Sequence, residues 1–332
     1  MKKILLLVSL ILLLAACGKT SEEAQSVDGD PEKLQVYTTV YPLTYFTERI
    51  AGDLVDVRSI YPAGSNEHTF EPTQQEMIKL ADADLMFSIG LGLEGFIDSA
   101  KQTLQNENVK FIATADQISD EDLEGALGHK EEEHDEEHDE EHEEAHAEEA
   151  ESHDGHDHGS TDPHVWMSPV LSEKLAESIK VSLTQADPEN AEVYESNYTE
   201  LVAELETLDR SFEALSERVS KDTFFVSHAA FSYLSEPYGF EQVAIAGLNS
   251  QDEPSQKELT KIVDLAKEKD VQYIVFEQNV SSNLTEVIQN EVGAEAIQMH
   301  NLGVLTQENI DNEETYFTLM EKNLQVLETI LK

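Results

Sequence analysis

Cysteine is almost absent from this chain: Cys17 stands alone in 332 residues. A single thiol excludes a disulfide framework and any thiolate metal cluster, so a bound metal would need nitrogen and oxygen ligands. Basic side chains are scarce too. Lys and Arg number 21 against 69 Asp and Glu, a formal net charge of -48. That balance excludes nucleic acid as a partner, because a phosphate backbone demands a basic surface, and it favours cations nearby. Long apolar runs are also missing. The most apolar stretch, residues 4–14, covers eleven residues, short of the about 20 that a spanning helix needs.

That stretch follows Lys2 and Lys3 and fits the apolar region of a secretory signal. The next residues, Leu14-Ala15-Ala16-Cys17-Gly18, resemble the lipobox of bacterial lipoproteins. The resemblance implies a signal peptide over 1–17 and lipidation at Cys17. It also implies an extracytoplasmic protein anchored to the bacterial cell membrane. Residues 18–33 are polar and rich in small side chains, and read as a flexible tether.

Histidine is concentrated in one place. Eight of the twelve fall between His129 and His158, among sixteen carboxylates, one lysine and no aromatic or branched aliphatic side chain. Such a segment cannot bury enough apolar surface to offset its ordering entropy. A disordered acidic loop is therefore expected over 120–160. His134, His138, His142 and His146 are four residues apart, a spacing that would align them on one face of a metal-induced helix. His153, His156 and His158 follow irregularly, and all seven are candidate accessory ligands. His142 to His146 also matches the H-E-x-x-H pattern of zinc proteases. That pattern works in a buried helix lining a cleft, and this segment has nothing to bury.

Elsewhere β-rich runs alternate with helical periodicity. Strands are predicted over 34–40, 54–61, 85–89 and 109–113, with helices over 42–51, 74–81 and 93–104. After residue 220 the alternation resumes, with strands over 223–227, 243–246, 273–276 and 296–299. Helices are predicted there over 254–269, 283–292 and 314–331. This order predicts parallel sheets with helical crossovers. Between the halves, Asp187-Pro188 signals a helix start. Tyr194, Tyr198, Leu201, Leu205, Leu208, Phe212 and Leu215 then recur at helical spacing with no Gly or Pro between them. A rod of about 45 Å is expected over 187–220. The fold class is α/β: two βα-type lobes, 34–186 and 221–332, each with a mainly parallel sheet, joined by one long rigid helix.

Four histidines lie outside the acidic loop. His68 sits in NEHTFEP after a predicted strand, His164 in DPHVWMSP, His228 after TFFVS, and His300 after AIQM. Glu277 directly follows the apolar YIVF, where a carboxylate is hard to explain as core. Parallel sheets bind ligands at the carboxyl ends of their strands, and His68, His228 and Glu277 fall there.

The stretches NEHTFEP, DPHVWMSP, SHAAFSYLSEPYGF and FEQN, in that order, resemble the metal-specific substrate-binding proteins of ABC importers, in their high-affinity zinc-uptake branch. The resemblance covers nearly the whole mature chain. It implies two lobes across a rigid helix with metal between them. It implies His68, His164 and His228 as imidazole ligands and Glu277 as the fourth, with Glu67 or water as the alternative to Glu277. Three imidazoles and a carboxylate suit tetrahedral Zn²⁺, whereas the manganese branch replaces imidazoles with carboxylates for a harder ion. The expected cargo is thus Zn²⁺, handed to an ABC permease and its ATPase by a monomeric protein that is not an enzyme. The loop histidines would bind further zinc weakly. His300 is not marked as a ligand and is expected behind the ligands or at the surface.

The alternatives are a manganese-binding importer component or a surface adhesin of the same family. A zinc hydrolase is the more distant one, since it needs an open coordination position and a general base. Gly90 to Gly95 matches G-x-G-x-x-G after a strand, but Glu94 within it would face the pyrophosphate. Those glycines are expected to shape a loop beside the cleft. A single rigid connection predicts little hinge motion, so release would depend on the permease biasing the lobes apart. No further metal-binding domain is expected after the last helix.

Overall fold

A computed structural model describes residues 33–127, 161–278 and 283–332. Cys17 and the seven accessory histidines, His134 to His158, lie outside the described residues. The apolar runs form two four-stranded parallel sheets. In the N-terminal lobe β1 (Leu34–Thr38), β2 (Val55–Ser59), β3 (Leu85–Ser88) and β4 (Lys110–Ala113) lie in the order β2-β1-β3-β4. In the C-terminal lobe β5 (Thr223–His228), β6 (Glu241–Ala246), β7 (Tyr273–Glu277) and β8 (Glu295–Met299) repeat it as β6-β5-β7-β8. β3 is buried along its whole length and β5 from Phe224 onward, as strands covered on both faces must be. In each sheet the winding reverses at the first strand. A crevice therefore opens at the carboxyl ends of β1 and β3, and another at those of β5 and β7.

The first helices, α1 (Tyr41–Ala51), α2 (Gln74–Ala81) and α3 (Ile97–Thr103), are the crossovers of the N-terminal sheet. α2 begins at a capping box, with Thr73 Oγ1 accepting from the Glu76 amide and the Glu76 carboxylate from the Thr73 amide. Two sequence expectations change here. The acidic loop was expected from residue 120, but residues 120–126 form α4 (Asp120–Ala126). Ser119 and Asp122 cap it reciprocally, and Leu123 is buried beneath it. The linking helix is also shorter than the rod expected over 187–220, and a further helix of the N-terminal lobe packs along it. Ser168 caps and Pro169 opens α5 (Pro169–Ala186), whose buried Leu171, Leu175, Ile179 and Leu183 pack it along α6 (Ala191–Ser216). The 26 residues of α6 span about 39 Å. Asp187-Pro188 does not open α6 directly. It begins a short 3₁₀ turn, Pro188–Asn190, where Asp187 Oδ2 accepts from Asn190 Nδ2 at 2.6 Å and Tyr194 Oη at 2.7 Å.

α6 touches both lobes. It packs on α1, and its Phe212 ring stacks on Tyr238 of the C-terminal lobe at 5.4 Å. The C-terminal crossovers are α7 (Gln256–Glu268) and α8 (Asn283–Val292), and α9 (Tyr316–Ile330) returns toward the N-terminal lobe. There Tyr316 meets Phe46 at 4.9 Å between ring centres. One apolar cluster accordingly runs through both lobes, including Phe46, Phe87, Trp166, Phe212, Val226 and Tyr316. A second, smaller cluster of Phe225, Ile245, Ala266, Ile274 and Ile288 lies under α7 and α8. Lobes that share a close-packed core resist being hinged apart. Among the described residues, no helix is long and apolar enough to cross a membrane.

Candidate metal centre

Three histidines from three separate segments converge between the lobes. His228 is the last residue of β5. His68 comes from the irregular connection between β2 and α2. His164 precedes the 3₁₀ turn Val165–Met167, which is anchored by the fully buried Trp166, whose Nε1 donates to the Asn301 carbonyl at 2.6 Å. Their ligand-capable nitrogens all lie within 4.8 Å of one another, and His68 Nε2 stands 3.3 Å from His164 Nε2. His164 and His228 are fully buried, whereas His68 is half-buried.

The far side of two rings is held by carboxylates. Asp162 Oδ1 lies 2.8 Å from His164 Nδ1 and also accepts from the His164 amide at 2.9 Å. Glu277 Oε1 lies 2.7 Å from His228 Nδ1 and accepts from Ser227 Oγ at 2.6 Å and the His228 amide at 3.1 Å. Its Oε2 accepts from Asn301 Nδ2 at 3.1 Å. A carboxylate on Nδ1 fixes the proton there and leaves the Nε2 lone pair facing inward, the arrangement that metal-ligating histidines use. His228 Nε2 is buried and has no hydrogen-bond partner among the described residues. A buried polar atom left unpaired costs free energy, and a bound cation would supply the partner that this nitrogen lacks.

The electrostatics agree. Burial, then the neighbouring His164 and His228, lowers the His68 pKa from 6.5 to about 3, so the ring is neutral and able to ligate. At His228 burial opposes the charged form, but the adjacent Glu277 outweighs it and the pKa ends raised. Glu277 moves the opposite way: burial raises it, and His228 with the Ser227 hydroxyl brings it below its ordinary value. Glu67 is a third buried carboxylate here, beside Asp162 and Glu277. Burial is the largest influence on it and leaves its pKa raised, while its Oε1 accepts from the same Asn301 amide at 2.9 Å. Gly303 makes room for it, since a Cβ at that position would lie 2.5 Å from Glu67 Oε1.

The sequence expectations therefore divide. His68, His164 and His228 are brought together. Glu277 is brought to the cluster but does not belong to the group of ligand atoms; it reaches His228 from behind, and both its oxygens are engaged by other groups. The direct metal contact expected of it is not the geometry found. His300 is buried, its backbone paired with Asn323 of α9 at 2.8 and 2.7 Å, so it is not a surface residue. Glu94 fills the glycine loop from within, accepting from the Ile89 and Gly90 amides and from Thr39 Oγ1. Those amides are thus not presented to a pyrophosphate. Sequence reading gave no role to Asp162 or Asn301. Asp162 carried a usable signal, an acid two residues before a histidine, whereas Asn301 carried none.

A two-lobed α/β fold with carboxylate-backed imidazoles in its interlobe crevice defines a metal-binding protein. The family model described as zinc-uptake complex component A, periplasmic (ZnuA), matches residues 36–330. The chain belongs to this family. It is 37% identical over 320 residues to the high-affinity zinc uptake system protein ZnuA of Bacillus subtilis, covering 96% of this chain and 94% of that one. It is also 37% identical to the zinc-binding lipoprotein AdcA of Streptococcus pneumoniae, covering 98% of this chain but only 60% of that protein. The crystal structure of the Zn(II)-bound ZnuA-like domain of that AdcA superposes with a TM-score of 0.69 at 30% identity, over 90% of this chain and 99% of that one.

Proposed function

We propose that this chain captures Zn²⁺ through Nε2 of His68, His164 and His228 and delivers it to an ABC-type permease and its ATPase. The observation that carries the reading is the buried, unpartnered Nε2 of His228, facing two further imidazoles whose nitrogens lie within 4.8 Å. Three imidazoles suit zinc better than manganese, whose sites are richer in carboxylate. With Glu277 turned to His228, the fourth donor is an oxygen of Glu67 or of water. With Glu67 as the fourth donor the tetrahedral shell would be filled and leave no position for a reacting water, so the site is read as one that binds rather than catalyses. Anchoring through Cys17, an extracytoplasmic location and a monomeric state belong to the same reading. The lipoprotein name of the pneumococcal relative supports the first two. The seven histidines of the acidic segment are proposed as weak, exchangeable zinc ligands outside this site.

The test is competitive titration of the purified protein with Zn²⁺ and Mn²⁺, with and without residues 129–158. One tight zinc that survives removal of the segment and disappears in His228→Ala is the expected result. A tight preference for Mn²⁺, or loss of all tight zinc with the segment, refutes the assignment.

A further inference from the structure

His68 is the least buried of the three ligands, and it sits on a connection without regular structure. What holds that connection decides how readily the site opens. Asn66, two residues earlier, has its side chain engaged at both ends. Its Oδ1 accepts from the His68 amide at 3.0 Å, which fixes the backbone that presents the imidazole. Its Nδ2 donates to Ser250 Oγ at 2.9 Å, 184 positions away in the C-terminal lobe. Ser250 belongs to a closed loop after β6, where Gly247 N donates to Asp252 O at 3.2 Å and Asp252 N to Asn249 O at 2.9 Å. The Ala229 amide donates to the Gly247 carbonyl of the same loop at 3.1 Å, and Ala229 directly follows His228. A short hydrogen-bonded path thus runs from the backbone of His68 through Asn66 and Ser250 to the residue beside His228.

Two other bonds tie the same connection to the C-terminal lobe: Gly64 N to Leu305 O at 2.9 Å, and Asn301 Nδ2 to Glu67 Oε1 at 2.9 Å. The second is buried, whereas Asn66 and Ser250 are only half-buried. The Asn66–Ser250 bond is therefore the more accessible of the two side-chain ties.

We infer that Asn66 and Ser250 form an interlobe latch that holds His68 in place and sets the rate of metal release, resting on the zinc-site reading above. Neither residue is a ligand; both act through the position of His68. Losing one hydrogen bond of this kind changes a rate by about three- to tenfold, and a latch that acts after capture changes release more than association.

The experiment loads the full chain with one equivalent of Zn²⁺ and follows release to an excess of chelator by stopped flow, alongside the association rate. Ser250→Ala keeps the His68 cap and loses only the cross-lobe bond. Its slow release phase is expected to quicken by about three- to tenfold at an unchanged association rate, with the melting temperature of the metal-free protein lowered by no more than a few degrees. Asn66→Ala, which loses both bonds, should release faster still. Asn66→Asp, which can accept from the His68 amide and from the Ser250 hydroxyl, should return release close to that of the unsubstituted protein. Release from Ser250→Ala at the unsubstituted rate overturns the latch alone. Absence of a slow phase in the unsubstituted protein overturns the zinc site and the latch together.

Discussion

Replacing Glu277 with Gln separates a carboxylate that orients a ligand from one that is a ligand. The glutamine keeps the shape of the side chain. Its carbonyl can accept from Ser227 Oγ, the His228 amide and His228 Nδ1, which Oε1 now meets at 2.6, 3.1 and 2.7 Å. What it removes is the negative charge that raises the basicity of His228 and outweighs the burial of that ring, together with the acceptor that Oε2 offers to Asn301 Nδ2. Loss of a partner behind a ligating histidine weakens metal binding by about 10–100-fold, or about 1.4–2.8 kcal/mol. Alanine is the poorer test. It would leave buried donors on Ser227, His228 and Asn301 without an acceptor, at about 1–3 kcal/mol each, so folding and affinity would change together. The assay is competition for Zn²⁺ against a chromophoric chelator, with X-ray absorption at the zinc edge to count donors. The expected outcome for Glu277→Gln is weaker binding with the zinc still bound by the same number of donors. Loss of one oxygen donor in that variant would refute the argument and restore Glu277 as a direct ligand.

Other consequences can be checked separately. Gly303→Ala places a methyl group where Glu67 Oε1 lies 2.5 Å away. The flexible carboxylate must swing aside, so zinc binding should weaken while urea stability changes by no more than about 1 kcal/mol; identical zinc affinity would exclude Glu67 from the site. The metal-free protein should lose stability in acid. His68 is lowered from 6.5 to about 3 and His300 to about 4, both chiefly by burial, so the unfolded chain binds more protons below 6.5. That stability is fully present above pH 6.5 and is lost as the pH falls toward 4 and then 3. Thermal melts of the unsubstituted protein and His300→Asn should show the variant losing less over that interval. His228, by contrast, is raised by Glu277 against the effect of burial, so near pH 6.5 zinc binding should release more protons than it would from an unperturbed imidazole. Calorimetry in buffers of different ionisation enthalpy should register proton release, and none at this pH would contradict the raised value. Phe212→Ala, at a fully buried position stacked on Tyr238, should cost about 3–5 kcal/mol in urea unfolding.

Much of the architecture was legible in the chain because local physics specifies it. The strands 85–88 and 223–228 are apolar runs that only two-sided burial explains, and α2 and α8 begin and end where the sequence signals placed them. The three histidines that converge between the lobes were legible from their motifs and from their places at element ends. α5 was missed although its signal was present, a Ser-Pro start followed by leucines and an isoleucine at four-residue spacing. The first turns of α4 were absorbed into the acidic loop because Asp and Glu at a helix N-terminus look compositionally like solvated charge, though there they are stabilising.

The sequence by itself determined the set of donors: one cysteine leaves no thiolate site, and three histidines in ordered contexts supply imidazoles. Only the tertiary structure decided what each carboxylate does. Asp162, Glu67 and Glu277 are chemically alike in the chain. Their roles depend on which ring nitrogen or amide stands within about 3 Å, a relation set by residues as far apart as Glu67 and Asn301. Side-chain type fixes which bonds a residue can make, but three-dimensional packing selects the one it does make. Glu277 therefore stands behind His228 here, and the opening between the lobes is tied by Asn66 and Ser250.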